Sequence, residues 1–106
     1  MSDFVKVCST DDLVKNSGVA ALVNDTQIAL FYINDEVYAL NNFDPIGKAY
    51  VMSRGMIGDL KGELMVAAPL LKQHYSLKTG ECLDVEGVSI PSYPAKIENN
   101  EVFVKV

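Results

Sequence analysis

Residues 19–40 read VAALVNDTQIALFYINDEVYAL, and the fold class turns on this stretch. Two strongly apolar runs, Val19 to Val23 and Gln27 to Ile33, flank Asn24-Asp25. Asn34-Asp35 then separates the second run from Val37 to Leu40. Asn and Asp tolerate the backbone of tight turns, and β-branched and aromatic residues favour strands. The stretch therefore predicts consecutive strands joined by tight turns, a meander.

Moving outward, the same logic recurs. Upstream, Phe4-Val5-Lys6-Val7 alternates and starts a sheet. Thr10-Asp11-Asp12-Leu13 reads as a cap on a short helical turn closed by Asn16-Ser17-Gly18, and the helix dipole accounts for its acidic pair. Downstream, Pro45 and the glycines at 47, 55, 58 and 62 break every period between Asn41 and Gly62, which predicts a long shaped loop region. Leu64 to Ala67 is a strand candidate running into Pro69. A second loop follows. Tyr75-Ser76-Leu77 and Glu81-Cys82-Leu83 then flank Lys78-Thr79-Gly80, a hairpin connection with glycine in the left-handed position. Pro91 and Pro94 mark an extended crossing segment. The chain closes with Ala95 to Glu98, the turn Asn99-Asn100, and a last strand in which Val102, Val104 and Val106 share one face. No long amphipathic helix, internal repeat or linker is legible. The expectation is one all-β domain over residues 1–106, an antiparallel sandwich or partly open barrel with two long loops.

Composition agrees with a folded unit: apolar residues are 49% and charged residues 22% of 106. Fourteen acidic against nine basic residues give a net charge of −5, without the clustered cations that nucleic acid or an anionic membrane requires. The N-terminal Met1-Ser2-Asp3-Phe4-Val5-Lys6 lacks the layout of a secretory signal, and no apolar run spans a bilayer. Two distant cysteines, Cys8 and Cys82, are read as reduced cytoplasmic thiols, although a disulfide between them stays open.

Catalytic chemistry has little to stand on. His74 is the one histidine, and no nucleophile elbow or phosphate-cradling glycine pattern accompanies it. Pairing of His74 with Cys8 or Cys82 is compatible with the sequence, but no local signature supports it. Those three side chains also fall short of the four thiolate or imidazole ligands that a zinc or iron–sulfur site usually needs. His74 reads first as a loop imidazole and second as a partner contact.

Two segments nevertheless resemble the cluster loops of the Rieske [2Fe-2S] domain family. Leu40-Asn41-Asn42-Phe43-Asp44-Pro45-Ile46-Gly47 is similar to the first loop, where C-x-H supplies two ligands. Ala68-Pro69-Leu70-Leu71-Lys72-Gln73-His74-Tyr75-Ser76-Leu77-Lys78-Thr79-Gly80-Glu81 is similar to the second, with its C-P-x-H and T-G-E turn. In that alignment Phe43 and Ala68 stand at the cysteine positions, and Pro45 and Leu71 at the histidine positions. The resemblance thus implies a Rieske-like fold without the cluster, with Phe43, Ala68 and Leu71 packing into its place.

Asn42 to Pro45, Val51-Met52-Ser53-Arg54-Gly55 with Gly58-Asp59, and Ala68 to Tyr75 resemble one branch of the family, the small subunits of assimilatory NADH-dependent nitrite reductase. That resemblance implies an accessory subunit in the cytoplasm, with no catalytic, cofactor-binding or metal residue of its own. Its partner would be a large subunit that carries FAD, an iron–sulfur cluster and sirohaem, takes electrons from NADH and reduces nitrite to ammonia. Docking would use the two loops, with Asp44, Pro45, Arg54, Lys72, Gln73, His74 and Tyr75 as candidates. Arg and Tyr are enriched at interface hot spots, but Arg54 and Lys72 also read as solvated charges and Tyr75 as core. The competing expectation is a stand-alone binding module that uses the vacated site as a pocket.

Overall fold

In the computed structural model, which describes residues 4–60 and 62–106, the three Asn/Asp turns form as expected. Residues 1–3, part of the N-terminal stretch read above against a secretory signal, lie outside the described set, as does residue 61. Asn24-Asp25, Asn34-Asp35 and Asn99-Asn100 all take positive φ, between 48° and 66°. That backbone matches the twist of two-residue hairpins, and Asn and Asp adopt it at little cost. The turns fix the register of β2 (Ser17–Val23) on β3 (Thr26–Ile33), of β3 on β4 (Glu36–Asn41), and of β11 (Ala95–Glu98) on β12 (Glu101–Lys105).

The continuous apolar run of β3 reflects burial on both faces. Ala29, Phe31 and Ile33 enter one core cluster, while Ile28 and Leu30 enter another. The second cluster is completed by Val102 and Val104 of β12, which lies between β1 (Phe4–Ser9) and β11. The first is completed by Met52, Val66, Ala68, Tyr75 and Leu77. Met52 comes from a 3-10 turn (Met52–Arg54), and the others from, or directly after, β8 (Glu63–Ala67) and β9 (His74–Ser76), which form a sheet with β7 (Met56–Leu60). The short strands β5 (Phe43–Asp44) and β6 (Ala49–Tyr50) pair with each other, and β10 (Ser92–Tyr93) extends the central sheet beside β4. The sheets are open, so the molecule is a nearly all-β sandwich, as expected, and no helix among the described residues is long and apolar enough to cross a membrane.

Three local expectations need correction. The N-cap of the first 3-10 turn is Ser9, not Thr10, and a capping box with Asp12 closes it. Ser17-Gly18, read as its end, already belongs to β2. The stretch Met56–Leu60, read as loop because of its glycines, is strand β7. Gly55 can sit there only without a side chain, since a Cβ would stand 2.6 Å from the Ala67 carbonyl oxygen. The glycines mark close approach of neighbouring chain, not a break in the sheet.

Candidate functional site

The two loops are built on a polar brace. Asn42 is buried, and its Oδ1 accepts from the Ser53 amide while its Nδ2 donates to the Tyr50 carbonyl and to Gln27 Oε1. Asn41 Oδ1 accepts from the Phe43 amide. These bonds anchor the start of loop 1 to the central sheet, so that its tip, residues 45–48, projects from a short stalk of β5 and β6.

Both tips close in the same way. The Lys48 amide donates to the Asp44 carbonyl at 2.7 Å, and the Lys72 amide donates to the Ala68 carbonyl at 3.0 Å. Asp44-Pro45-Ile46-Gly47-Lys48 and Ala68-Pro69-Leu70-Leu71-Lys72 are two copies of one turn, with proline second and lysine last. This short echo is a repeat that reading for longer periods passes over. In each copy the closing lysine has positive φ, 57° and 64°. A third turn of the same span, Ser76 to Gly80, closes through the Gly80 amide at 2.8 Å with glycine in that position. The two tips touch: a Cβ on Gly47 would lie 3.0 Å from Leu70 Cδ1.

Beneath the tips lie Ala68, Asp44 and Tyr75, all fully buried. Asp44 Oδ1 accepts from the Ile46 amide, whereas Asp44 Oδ2 and the Tyr75 hydroxyl have no well-formed hydrogen bond. They face each other: burial first, and the Asp44 carboxylate second, push the Tyr75 phenol well above its ordinary pKa. Cys82 is buried next to Tyr75 through a strand bridge and is unbridged, as is Cys8. Burial, with Asp12 nearby, raises the Cys8 thiol.

An iron–sulfur cluster does not fit these residues. The four corresponding positions hold Phe43, Pro45, Ala68 and Leu71, none of which is a ligand, and no three His, Cys, Asp or Glu converge among the described residues. The expected apolar filling is only partly correct. Ala68 is buried, but Phe43 is half-buried with its ring tilted against Tyr50, centroids 5.0 Å apart, and Leu71 is 54% exposed. The turn from Ala68 to Lys72 carries Leu70 and Leu71 to the outside, and the buried pair Asp44–Tyr75 occupies the floor instead.

The seven docking candidates separate by exposure. Asp44 and Tyr75 offer no surface. Arg54 and Lys72 are exposed, while Pro45, Gln73 and His74 are partly so. His74 is held at three points: its amide and Nδ1 both bond Asp84 Oδ2, at 2.7 and 2.8 Å, and its carbonyl accepts from the Leu83 amide. The His74 amide, then the ring, hold the Asp84 carboxyl below its usual range. Four residues not singled out from the sequence join the surface: Lys48, Tyr50, Leu70 and Met56, all exposed. The paired Pro…Lys spacing was the available signal for Lys48 and the loop tips. One cleft lies away from the loops, along Val37, Tyr38, Ala39, Tyr93, Ala95 and Lys96, and a second, open one is lined by Phe43, Pro45 and Tyr50 of loop 1 with Ile90 and Pro91.

Comparison with known proteins places these features. The Rieske-like [2Fe-2S] domain model matches residues 3–105. The small subunit of nitrite reductase (NADH) from Escherichia coli (strain K12) is 40% identical over 104 residues, covering 96% of each chain. The NMR structure of the E. coli protein NirD superposes with a TM-score of 0.87 at 39% identity, covering 98% of this chain and 96% of that one. A nitrite reductase [NAD(P)H] large subunit of Klebsiella oxytoca is 40% identical over 98 residues, which are 92% of this chain but 10% of that protein.

Proposed function

The chain belongs to the Rieske-like [2Fe-2S] domain family and, within it, to the nitrite reductase (NADH) small subunits; on that footing we propose that it is the accessory subunit of an NADH-dependent nitrite reductase. It docks on a large subunit that takes electrons from NADH through FAD and an iron–sulfur cluster to sirohaem, where nitrite becomes ammonia. It contributes no redox centre of its own and works in the cytoplasm, in nitrate assimilation. The observation that carries this reading is the end-to-end identity with a named small subunit. The Klebsiella protein supports it: a stretch akin to almost the whole of this chain there forms part of a large subunit, so the domain and the reductase work side by side.

Docking uses the loop tips. Of the sequence candidates, Pro45, Arg54, Lys72, Gln73 and His74 have surface to contribute, and the pair Asp44–Tyr75 supports them from below. The test is titration of the purified chain into the purified large subunit, followed by binding and by nitrite-dependent oxidation of NADH. A defined complex is expected. Charge reversal, Arg54→Glu or Lys72→Glu, should weaken it by about three- to tenfold without unfolding the domain. An active large subunit that does not bind the chain overturns the proposal.

A further inference from the structure

Resting on that reading, the geometry points to Lys48 and Lys72 as paired electrostatic anchors that recognise an acidic, partly apolar face of the large subunit. Two independent observations converge on them.

The first is backbone conformation. Among the described residues, nine that are not glycine have positive φ, and seven of those are Asn or Asp. The other two are Lys48 and Lys72. Lysine gains nothing there: its side chain cannot bond its own backbone as Asn and Asp do, and its Cβ is crowded. The same turn at Ser76–Gly80 uses glycine. Unfavourable backbone of this kind is held where the side chain is needed for something besides folding.

The second is charge. In residues 41–58 and 64–80 the one carboxylate is Asp44, and it is buried. The same segments expose Lys48, Arg54 and Lys72 in the loops, none of them in an ion pair among the described residues, and Lys78 away from the tips, in a cleft with Glu36 and Glu63. Asp84, beside His74, is engaged by that residue's amide and ring. A chain with net charge −5 therefore presents a cationic end. The tips meet through Gly47 and Leu70, and Arg54 adjoins the start of loop 2, because Gly55 packs on the Ala67 carbonyl. The same two loops carry Leu70, Leu71 and the Phe43–Tyr50 ring pair, partly or largely exposed.

Loops that expose apolar side chains together with unpaired cations fit a protein surface of opposite charge, as interfaces are built. Three cations with leucines and aromatic rings do not make a phosphate-backbone site.

The test compares wild type with the double variant Lys48→Gly/Lys72→Gly, with Lys105→Ala as a control outside the loops. Glycine relieves the backbone, so the variant should melt about 4 °C or more above wild type. Its affinity for the purified large subunit should nevertheless fall about tenfold, and its salt dependence should flatten. Stability up with affinity down is a combination that a purely structural role does not produce. Unchanged affinity overturns the inference, as does joint loss of stability and affinity. Wild-type dimers that dissolve in salt and are missing in the variant, measured by light scattering, overturn it too by assigning the face to a second copy. Failure of wild type to bind the large subunit at all overturns the proposed function, and this inference with it.

Discussion

The hairpin turns and the loop-tip turns of this molecule place the chain in the same left-handed backbone with opposite chemistry. At Asn24-Asp25, Asn34-Asp35 and Asn99-Asn100 the residue types are those the conformation favours. They join continuous strands of four to eight residues whose register must be unambiguous. At Lys48 and Lys72 the conformation is the same but the residues resist it, and the chain around them is short-stranded and exposed. Local preference agrees with the fold at the hairpins and conflicts with it at the loop tips. The contrast separates the scaffold turns from the turns of the proposed docking surface without reference to any relative.

The comparison can be broken, and the largest expected effect is at Gly80. Its φ is +79°, and a Cβ would collide with the Ile90 carbonyl oxygen. Gly80→Ala should therefore lose roughly 3 kcal/mol in a urea titration. A tolerated alanine would mean that left-handed positions cost little in this fold, and the case for the two lysines would lapse. Next in size, Lys48→Gly and Lys72→Gly should each gain about 1 kcal/mol in the same titration.

A smaller effect concerns the exit of loop 2. The Asp84 carboxyl is depressed by His74, so its contribution is present above the ordinary carboxylate range and is lost as pH falls through the lowered value. Wild type should lose stability in acid, below about pH 4, that Asp84→Asn never had. Both groups are partly exposed, so the difference should be about 0.5 kcal/mol or less. Equal acid limbs for the two proteins would show that the His74–Asp84 contact does not brace the loop. Smallest of all, Asn24→Gly and Asn34→Gly should change stability by under about 0.5 kcal/mol, since Asn already suits the turn. A gain there as large as at the lysines would erase the distinction between the two kinds of turn.

Much of the scaffold was legible from residue types. The strands around Asn24-Asp25, Asn34-Asp35 and Asn99-Asn100, and the glycine turn at Gly80, follow from alternation and turn chemistry, which act over a few residues. β7 was not legible, because Gly55 and Gly58 read as breakers until Ala67 and Met65 are seen packed against them. The site divided in the same way. Arg54 and Lys72 could be placed on a surface from the loop resemblance. The burial of Asp44 and the exposure of Leu71 reverse what their polarity suggests.

The sequence by itself determined an all-β chain, where its hairpins turn, and that Phe43, Pro45, Ala68 and Leu71 cannot ligate iron, since these depend on backbone preference and on side-chain chemistry. Only the tertiary structure decided that the loops meet through Gly47 and Leu70 and that Asp44 and Tyr75 face each other beneath them. Those outcomes depend on which distant segments share space, and residues twenty or more positions apart are brought together by packing, which no local pattern records.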